Sequence, residues 1–95
     1  MLSTIPTSMP KVQKKDTDNE ILRVGMIAEL DAVNLYEQMA AIAENKDIKK
    51  ILLSIAKEEK THMGEFEALL LDLDTQQSEE LISGQREVKD IKKKN

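Results

Sequence analysis

One stretch of the chain, Ile48 to Leu73, constrains the fold more than any other. Steps of four and three residues along it mark one face of a helix. The stripe comprises Ile48, Leu52, Ile55, Glu59, His62, Phe66, Leu69 and Leu73. Six of these eight side chains are apolar, but Glu59 and the only histidine interrupt the stripe at its middle, where an unpaired charge would be costly. An inward Glu-x-x-His pair is the spacing with which helical bundles hold carboxylate-bridged metal ions.

A second amphipathic pattern begins at Asp16 or Asp18, either of which can cap a helix, and continues to about Glu44. Its stripe comprises Leu22, Met26, Glu29, Val33, Tyr36, Ala40 and Ala43. Glu29 again places a carboxylate within an apolar face, and Tyr36 follows it by two helical turns on the same side. A glycine within this pattern, at position 25, costs about 1 kcal/mol relative to alanine and indicates the close approach of a neighbour.

The two stripes are separated only by residues 45–47, in which Asp47 is predicted to cap the second helix. A connection this short makes the helices antiparallel. Glu29 lies about 16 residues before the centre of the turn and Glu59 about 14 after it, which is roughly 21 to 24 Å along each helix. The two carboxylates are therefore predicted to meet at the same height.

Beyond the hairpin, Asp74 followed by Gln77 has the form of a helix cap, which predicts a short third helix that ends or kinks at Gly84. We predict three regions: a flexible arm over 1–15, a helical domain over 16–91 and a basic tail over 92–95. The predicted fold class is all-α, with an antiparallel two-helix hairpin and a short C-terminal helix.

Composition excludes several classes of protein. The chain has no cysteine, so disulfides, zinc–thiolate sites and thiol catalysis are excluded. No apolar run approaches the roughly 20 residues of a membrane span, and the first residues lack the order of a signal peptide. Residues 16–80 carry 16 acidic and 6 basic side chains and so attract cations, whereas the terminal lysines lack the interleaving typical of nucleic-acid binding. We expect a cytoplasmic protein that binds neither membrane nor nucleic acid.

A metal ion accounts for Glu29, Glu59 and His62 better than separate hydrogen bonds do. A lone histidine on an apolar face is more often a satisfied core or interface residue. Here, however, three polar groups share one height, and neither stripe contains a Lys or Arg to pair with them. A two-metal bundle site uses four carboxylates and two histidines, of which this chain supplies half. Two hairpins also make four helices, so a two-fold homodimer completes both the bundle and the site.

Oxygen and nitrogen donors of this mixture suit iron or manganese, with zinc a frequent occupant by affinity. With iron, the predicted reaction is oxidation of Fe(II) by oxygen or peroxide. Glu29 and Glu59 would hold and bridge the metals, and His62 would complete the coordination. Tyr36 would orient a carboxylate or buffer an electron, although simple packing of its ring is an equally good interpretation.

The segments 28–36 (AELDAVNLY) and 58–62 (EEKTH) resemble the encapsulated ferritins, ferritin-like proteins with a split fold that reside inside encapsulin nanocompartments. The likeness covers about residues 18 to 90. It implies a di-iron ferroxidase centre between two chains, formed by the residues matching Glu29, Glu59 and His62, with Tyr36 close by. It also implies a ring of dimers, commonly a decamer, and an encapsulin shell protein as partner that holds the oxidised iron.

The chain departs from that family at Ala28 and Leu35, where members often carry an acidic residue and a tryptophan. Of the family's outer metal-uptake site only Asp31 has a match. The end of the chain, Ile91 followed by three lysines, does not resemble a shell-docking peptide, so a domain of a shell fusion is one interpretation. Two alternative functions are a metal-free helical assembly module and rubrerythrin-like peroxide reduction.

Overall fold

The computed structural model describes residues 16–94, and this part of the chain consists of three α-helices and short connections. The helices are α1 (Thr17–Ile42), α2 (Lys46–Leu73) and α3 (Thr75–Lys93). The predicted all-α fold is confirmed. The arm predicted over 1–15 lies outside the described residues. None of the helices in the described part is long and apolar enough to cross a membrane.

Helices α1 and α2 pack along each other as an antiparallel hairpin. The residues buried to 8% exposure or less are Leu22, Val33, Ala40, Ala56 and Leu70. Two of these are alanines, whose small side chains allow the helix backbones to approach closely. A core of this size is thin, since two helices leave most of their surface uncovered.

The turn between α1 and α2 differs from the sequence prediction. Helix α1 ends at Ile42, and α2 begins at Lys46 with Asn45 as its cap. The Asn45 side-chain oxygen accepts hydrogen bonds from the backbone N–H groups of Asp47 (2.9 Å) and Ile48 (3.1 Å). The prediction that Asp47 caps α2 was therefore wrong, because the asparagine two residues earlier already satisfies the free amides. Asp47 instead lies in the first turn, where its negative charge interacts favourably with the positive end of the helix dipole.

Asp74 forms the joint between the hairpin and α3. One of its carboxylate oxygens accepts a hydrogen bond from the Gln77 backbone N–H (3.0 Å), which confirms the predicted cap. The other oxygen accepts from the Arg23 guanidinium at 2.8 Å and so connects the joint to the start of α1. The Gln77 hydrogen bond, followed by the contact with Arg23, lowers the pKa of the Asp74 carboxyl below its usual 3.8.

Helix α3 extends away from the hairpin instead of covering it. None of its residues is buried, and the described chain measures 46 × 45 × 20 Å. Its radius of gyration, 16.8 Å, exceeds the roughly 12 Å of a compact chain of this length. Much of the third helix is consequently open to contact with other molecules.

The sequence predicted that α3 ends or kinks at Gly84; the helix does not end there and continues to Lys93. The cost of one glycine, about 1 kcal/mol, is smaller than the combined preference of its helix-forming neighbours. Lys92 and Lys93 were predicted to belong to the basic tail. They lie in the last turn of α3, where positive charge interacts favourably with the negative end of the helix dipole.

The apolar residues of α2 lie on two adjacent faces. On one face Ala56 and Leu70, which the predicted stripe did not include, are buried against α1, and Leu52, Glu59 and Phe66 lie half-buried beside them. The other face is exposed. We name this surface the open flank; its members are Ile48, Ile51, His62, Leu69 and Leu73. The four apolar members are 55% to 61% exposed, so the single chain leaves apolar side chains uncovered on α2 both before and after His62.

Candidate metal centre

The hairpin register places Glu29, in the middle of α1, opposite Glu59 and His62, in the middle of α2. One donor atom from each of these three side chains lies within 4.8 Å of the other two. The predicted meeting of the two carboxylates at one height is therefore present in the structure. In the described part of the chain, this is the one group of three or more acidic or histidine side chains close enough to share an ion.

The three side chains converge without hydrogen bonds between them. The His62 Nδ1 atom lies 3.6 Å from Glu29 Oε2 and 3.5 Å from Glu59 Oε2, which is longer than a well-formed N–H···O hydrogen bond. Glu29 Oε2 is buried and has no hydrogen-bond partner. A buried oxygen left without a partner is costly, so the geometry favours a ligand that this oxygen can bind.

No lysine or arginine of residues 16–94 forms an ion pair with this cluster. Arg23 contacts Glu20 and Asp74, near the far end of the hairpin. Lys60 forms its ion pair with Glu37 at 3.1 Å, on the exposed surface. Two carboxylates and one imidazole without a protein cation form a donor set that suits iron, manganese or zinc. The residues present therefore fit a metal ion.

The cluster lies at the edge of the hairpin. The side chains of Glu29 and Glu59 are 18% and 19% exposed, whereas that of His62 is 46% exposed. His62 belongs to the open flank, with its Nδ1 atom turned toward the two carboxylates. All three donors would therefore bind an ion from the same side. The opposite side is left for donors from another molecule.

Two other residues singled out from the sequence lie outside this cluster. Tyr36 is half-buried on α1, two turns beyond Glu29, and its role in the site remains a prediction. Asp31 is also half-buried and is not part of the group that could share an ion. The structure thus brings together the three predicted metal ligands, Glu29, Glu59 and His62.

Sequence reasoning placed Phe66 in the apolar stripe of α2 but did not identify it as the close neighbour of Gly25. Its ring packs against Gly25 so closely that a Cβ atom added at Gly25 would lie 3.1 to 3.2 Å from three ring atoms. The glycine had indicated a close neighbour but did not identify it. The available signal was a helical glycine one turn before Glu29 and an aromatic residue one turn after His62.

Comparisons with known proteins agree with this fold. The family model described as Rubrerythrin matches residues 20–94. A crystal structure of the encapsulated ferritin domain from Pyrococcus furiosus superposes with a TM-score of 0.80 at 52% identity, covering 95% of this chain and 94% of that one. The chain therefore belongs to the ferritin-like proteins of the rubrerythrin family and, within them, to the encapsulated ferritins.

Two longer relatives share this sequence in part. A ferritin-like–encapsulin shell fusion protein of Pyrococcus furiosus is 54% identical over 93 residues, which are 96% of this chain and 27% of that protein. The encapsulin nanocompartment cargo protein EncC of Myxococcus xanthus is 39% identical over 70 residues, which are 70% of this chain and 54% of that protein. The chain thus spans about a quarter and about half of these relatives. Membership of the family predicted from segments 28–36 and 58–62 is confirmed.

Proposed function

We propose that this protein is a ferroxidase, which oxidises Fe(II) to Fe(III) at a di-iron site formed between two chains. The observation that carries the proposal is the cluster of Glu29, Glu59 and His62, with donor atoms within 4.8 Å of one another and a buried Glu29 oxygen without a partner. Membership of the rubrerythrin family supports iron as the metal.

A homodimer accounts for the position of the cluster and for the open flank together. A two-fold axis beside the open flank would bring two sets of donors together, giving four carboxylates and two imidazoles. The same contact would cover the apolar residues of the flank, such as Ile51, Leu69 and Leu73, and would thicken the core. By the family likeness, such dimers assemble into a ring, commonly a decamer.

Within such a site the residues of this chain have separate tasks. The two iron ions would supply the redox chemistry when bound, because each Fe(II) can give one electron to oxygen. Glu29 and Glu59 would hold the ions between the two helices, since each carboxylate offers two oxygens. His62, whose Nδ1 atom faces both carboxylates, would complete the coordination. Tyr36 would orient a carboxylate near the site, and the covered flank would limit the entry of water.

We further propose that the protein works inside an encapsulin nanocompartment in the cytoplasm. Two relatives support this location, because one is named as a fusion with an encapsulin shell and the other as an encapsulin cargo protein. In that setting the shell protein is the partner, Fe(II) and oxygen are the substrates, and the shell would retain the oxidised iron.

Substituting Glu59 tests the proposal, with the adjacent exposed Glu58 as a matched control. Glu59→Gln keeps the size of the side chain but removes a charged metal ligand. We expect Fe(II) oxidation to slow by more than about tenfold, the lower end of the loss seen when residues that merely support metal ligands are changed. Under anaerobic conditions, Fe(II) should increase the native mass of the unmodified protein by dimerisation, and this increase should be absent in Glu59→Gln. Glu58→Gln should retain both properties.

Measurements of oxidation rate, metal content and native mass decide between the proposal and a metal-free assembly module. In a module of that kind, Glu59→Gln and the unmodified protein would bind no Fe(II) and would associate equally well. The rubrerythrin family match also favours a second candidate, peroxide reduction at the same site. Steady-state consumption of peroxide faster than that of oxygen would favour this second function.

A further inference from the structure

Of the three glycines in the described chain, only Gly25 has another side chain close to the position of an added Cβ atom. This contact lies beside the cluster of Glu29, Glu59 and His62. Three ring atoms of Phe66 (Cδ1, Cδ2 and Cε2) lie 3.1 to 3.2 Å from the position that a Cβ atom at Gly25 would occupy. These atoms come from both sides of the ring, so a methyl group at position 25 would stand over the ring face. Separations this small are below ordinary van der Waals contact, and the ring would have to move by a few tenths of an ångström.

This contact lies one helical turn from the cluster on both helices. Gly25 precedes Glu29 by four residues on α1, and Phe66 follows His62 by four residues on α2. At 1.5 Å per residue, the contact is about 6 Å from the cluster along the hairpin, on the side away from the turn. Phe66 also follows Glu59 by two turns on the same face of α2.

We propose that Gly25 and Phe66 are a positioning pair that sets the distance between α1 and α2 at the metal centre. Without a side chain at Gly25, the Phe66 ring fits between the helices. The ring in turn holds Glu29 at the correct distance from the two donors on α2. This inference rests on the proposed function in so far as the cluster binds metal.

The sensitivity of metal coordination to distance makes this contact important. Donor distances in a metal site must be correct to about 0.2 Å. Close-packed interiors transmit small displacements because they contain few voids. A shift of a few tenths of an ångström at Phe66 is therefore as large as the tolerance of the site one turn away.

Helix propensity alone predicts the opposite effect for Gly25→Ala, because alanine favours a helix over glycine. Gly64 provides a matched control on α2, since no atom lies within 4 Å of a Cβ added there. A glycine that merely lowers helix stability would respond as Gly64 does. A positioning glycine would lose metal affinity while its helix gains propensity.

The test is a Co(II) titration of the whole protein, followed by visible absorption, for Gly25→Ala, Phe66→Leu, the double variant and Gly64→Ala. We expect Gly25→Ala to weaken Co(II) binding about tenfold and to change the absorption bands, an effect of the size seen when supporting residues of metal ligands are altered. Phe66→Leu should weaken binding several-fold. Adding Gly25→Ala to Phe66→Leu should then cost less than about twofold, since the leucine side chain can yield to the methyl group. Gly64→Ala should bind as the unmodified protein does.

Three results would overturn the inference: parental Co(II) affinity in Gly25→Ala, parental affinity in Phe66→Leu, or additive losses in the double variant. Phe66→Leu keeps the inference open to refutation if Gly25→Ala does not fold. A Co(II) titration of Glu59→Gln distinguishes a failure of the positioning inference from a failure of the proposed function. If Glu59→Gln loses Co(II) while Gly25→Ala retains it, only the positioning role is wrong. If Glu59→Gln also retains Co(II), the metal centre itself is wrong.

Discussion

The hairpin and α3 are both amphipathic helical regions, but they are held in place by different means. The hairpin buries residues against itself, among them Ala56 and Leu70 at 2% exposure. Helix α3 buries none of its residues and leaves Val88 and Ile91 more than half exposed. Its beginning is fixed by one carboxylate, that of Asp74. The difference shows that packing specifies the hairpin, whereas local capping and helix propensity specify the third helix within one chain.

The largest expected effect comes from truncating the hairpin core. Leu70→Ala should lower the free energy of unfolding by about 2 to 5 kcal/mol, because it removes a fully buried side chain and leaves a cavity. Urea denaturation at a fixed protein concentration measures this loss.

Ile82→Ala on α3 is the comparison for Leu70→Ala. Ile82 is 48% exposed, so its truncation should change the free energy of unfolding by less than about 0.5 kcal/mol. A loss at Ile82 as large as that at Leu70 would contradict the contrast between the two regions. It would show that another molecule covers α3 in solution.

A smaller effect of opposite sign is expected at Gly84, in the middle of α3. No atom lies within 4 Å of a Cβ added there, so Gly84→Ala gains helix propensity without a clash. We expect stabilisation of α3 by roughly 0.5 to 1 kcal/mol, observed as slower amide exchange in this helix. Faster exchange in α3 would show that packing against a neighbour, and not propensity, governs the helix.

The smallest expected effect concerns pH at the joint. Because the pKa of Asp74 is lowered on folding, its contribution is present above 3.8, the usual value, and is lost as pH falls through the lower folded value. The protection of the Gln77 amide, its exchange rate relative to an unstructured amide at the same pH, should therefore decrease as the pH falls below 3.8. Asp74→Asn can still cap the helix but carries no charge, so its Gln77 exchange should lack this step. An identical step in that variant would assign the titration to another group.

The sequence predicted the hairpin and the height of the cluster because both follow from helical spacing. Glu29 and Glu59 are nearly equidistant from the turn, and antiparallel packing alone brings them together. Periodicity could not separate the two faces of α2, however. Leu70 and Leu69 are adjacent leucines, yet one is 2% and the other 56% exposed, since the apolar arc of α2 is broader than the face that packs against α1.

Local details of the helix ends and of close contacts were harder to predict. Asn45 and Asp47 are both good capping residues, and their backbone geometry decides which one caps α2. At Gly84 a moderate helix penalty was interpreted as an end or a kink, and the backbone there has no positive φ that would end the helix. The partner of Gly25 could not be identified, because a glycine indicates that space is needed but not which side chain fills it.

The unpaired oxygen of Glu29 has a consequence for how the protein tolerates heat. Every folded copy without a ligand carries the desolvation cost of this atom, which is about 1 to 3 kcal/mol for a buried polar group. A cation that binds the folded chain and not the unfolded one offsets this cost and adds its own binding free energy. If a metal ion is that ligand, the melting temperature should rise with the metal concentration, and copies without metal should unfold first.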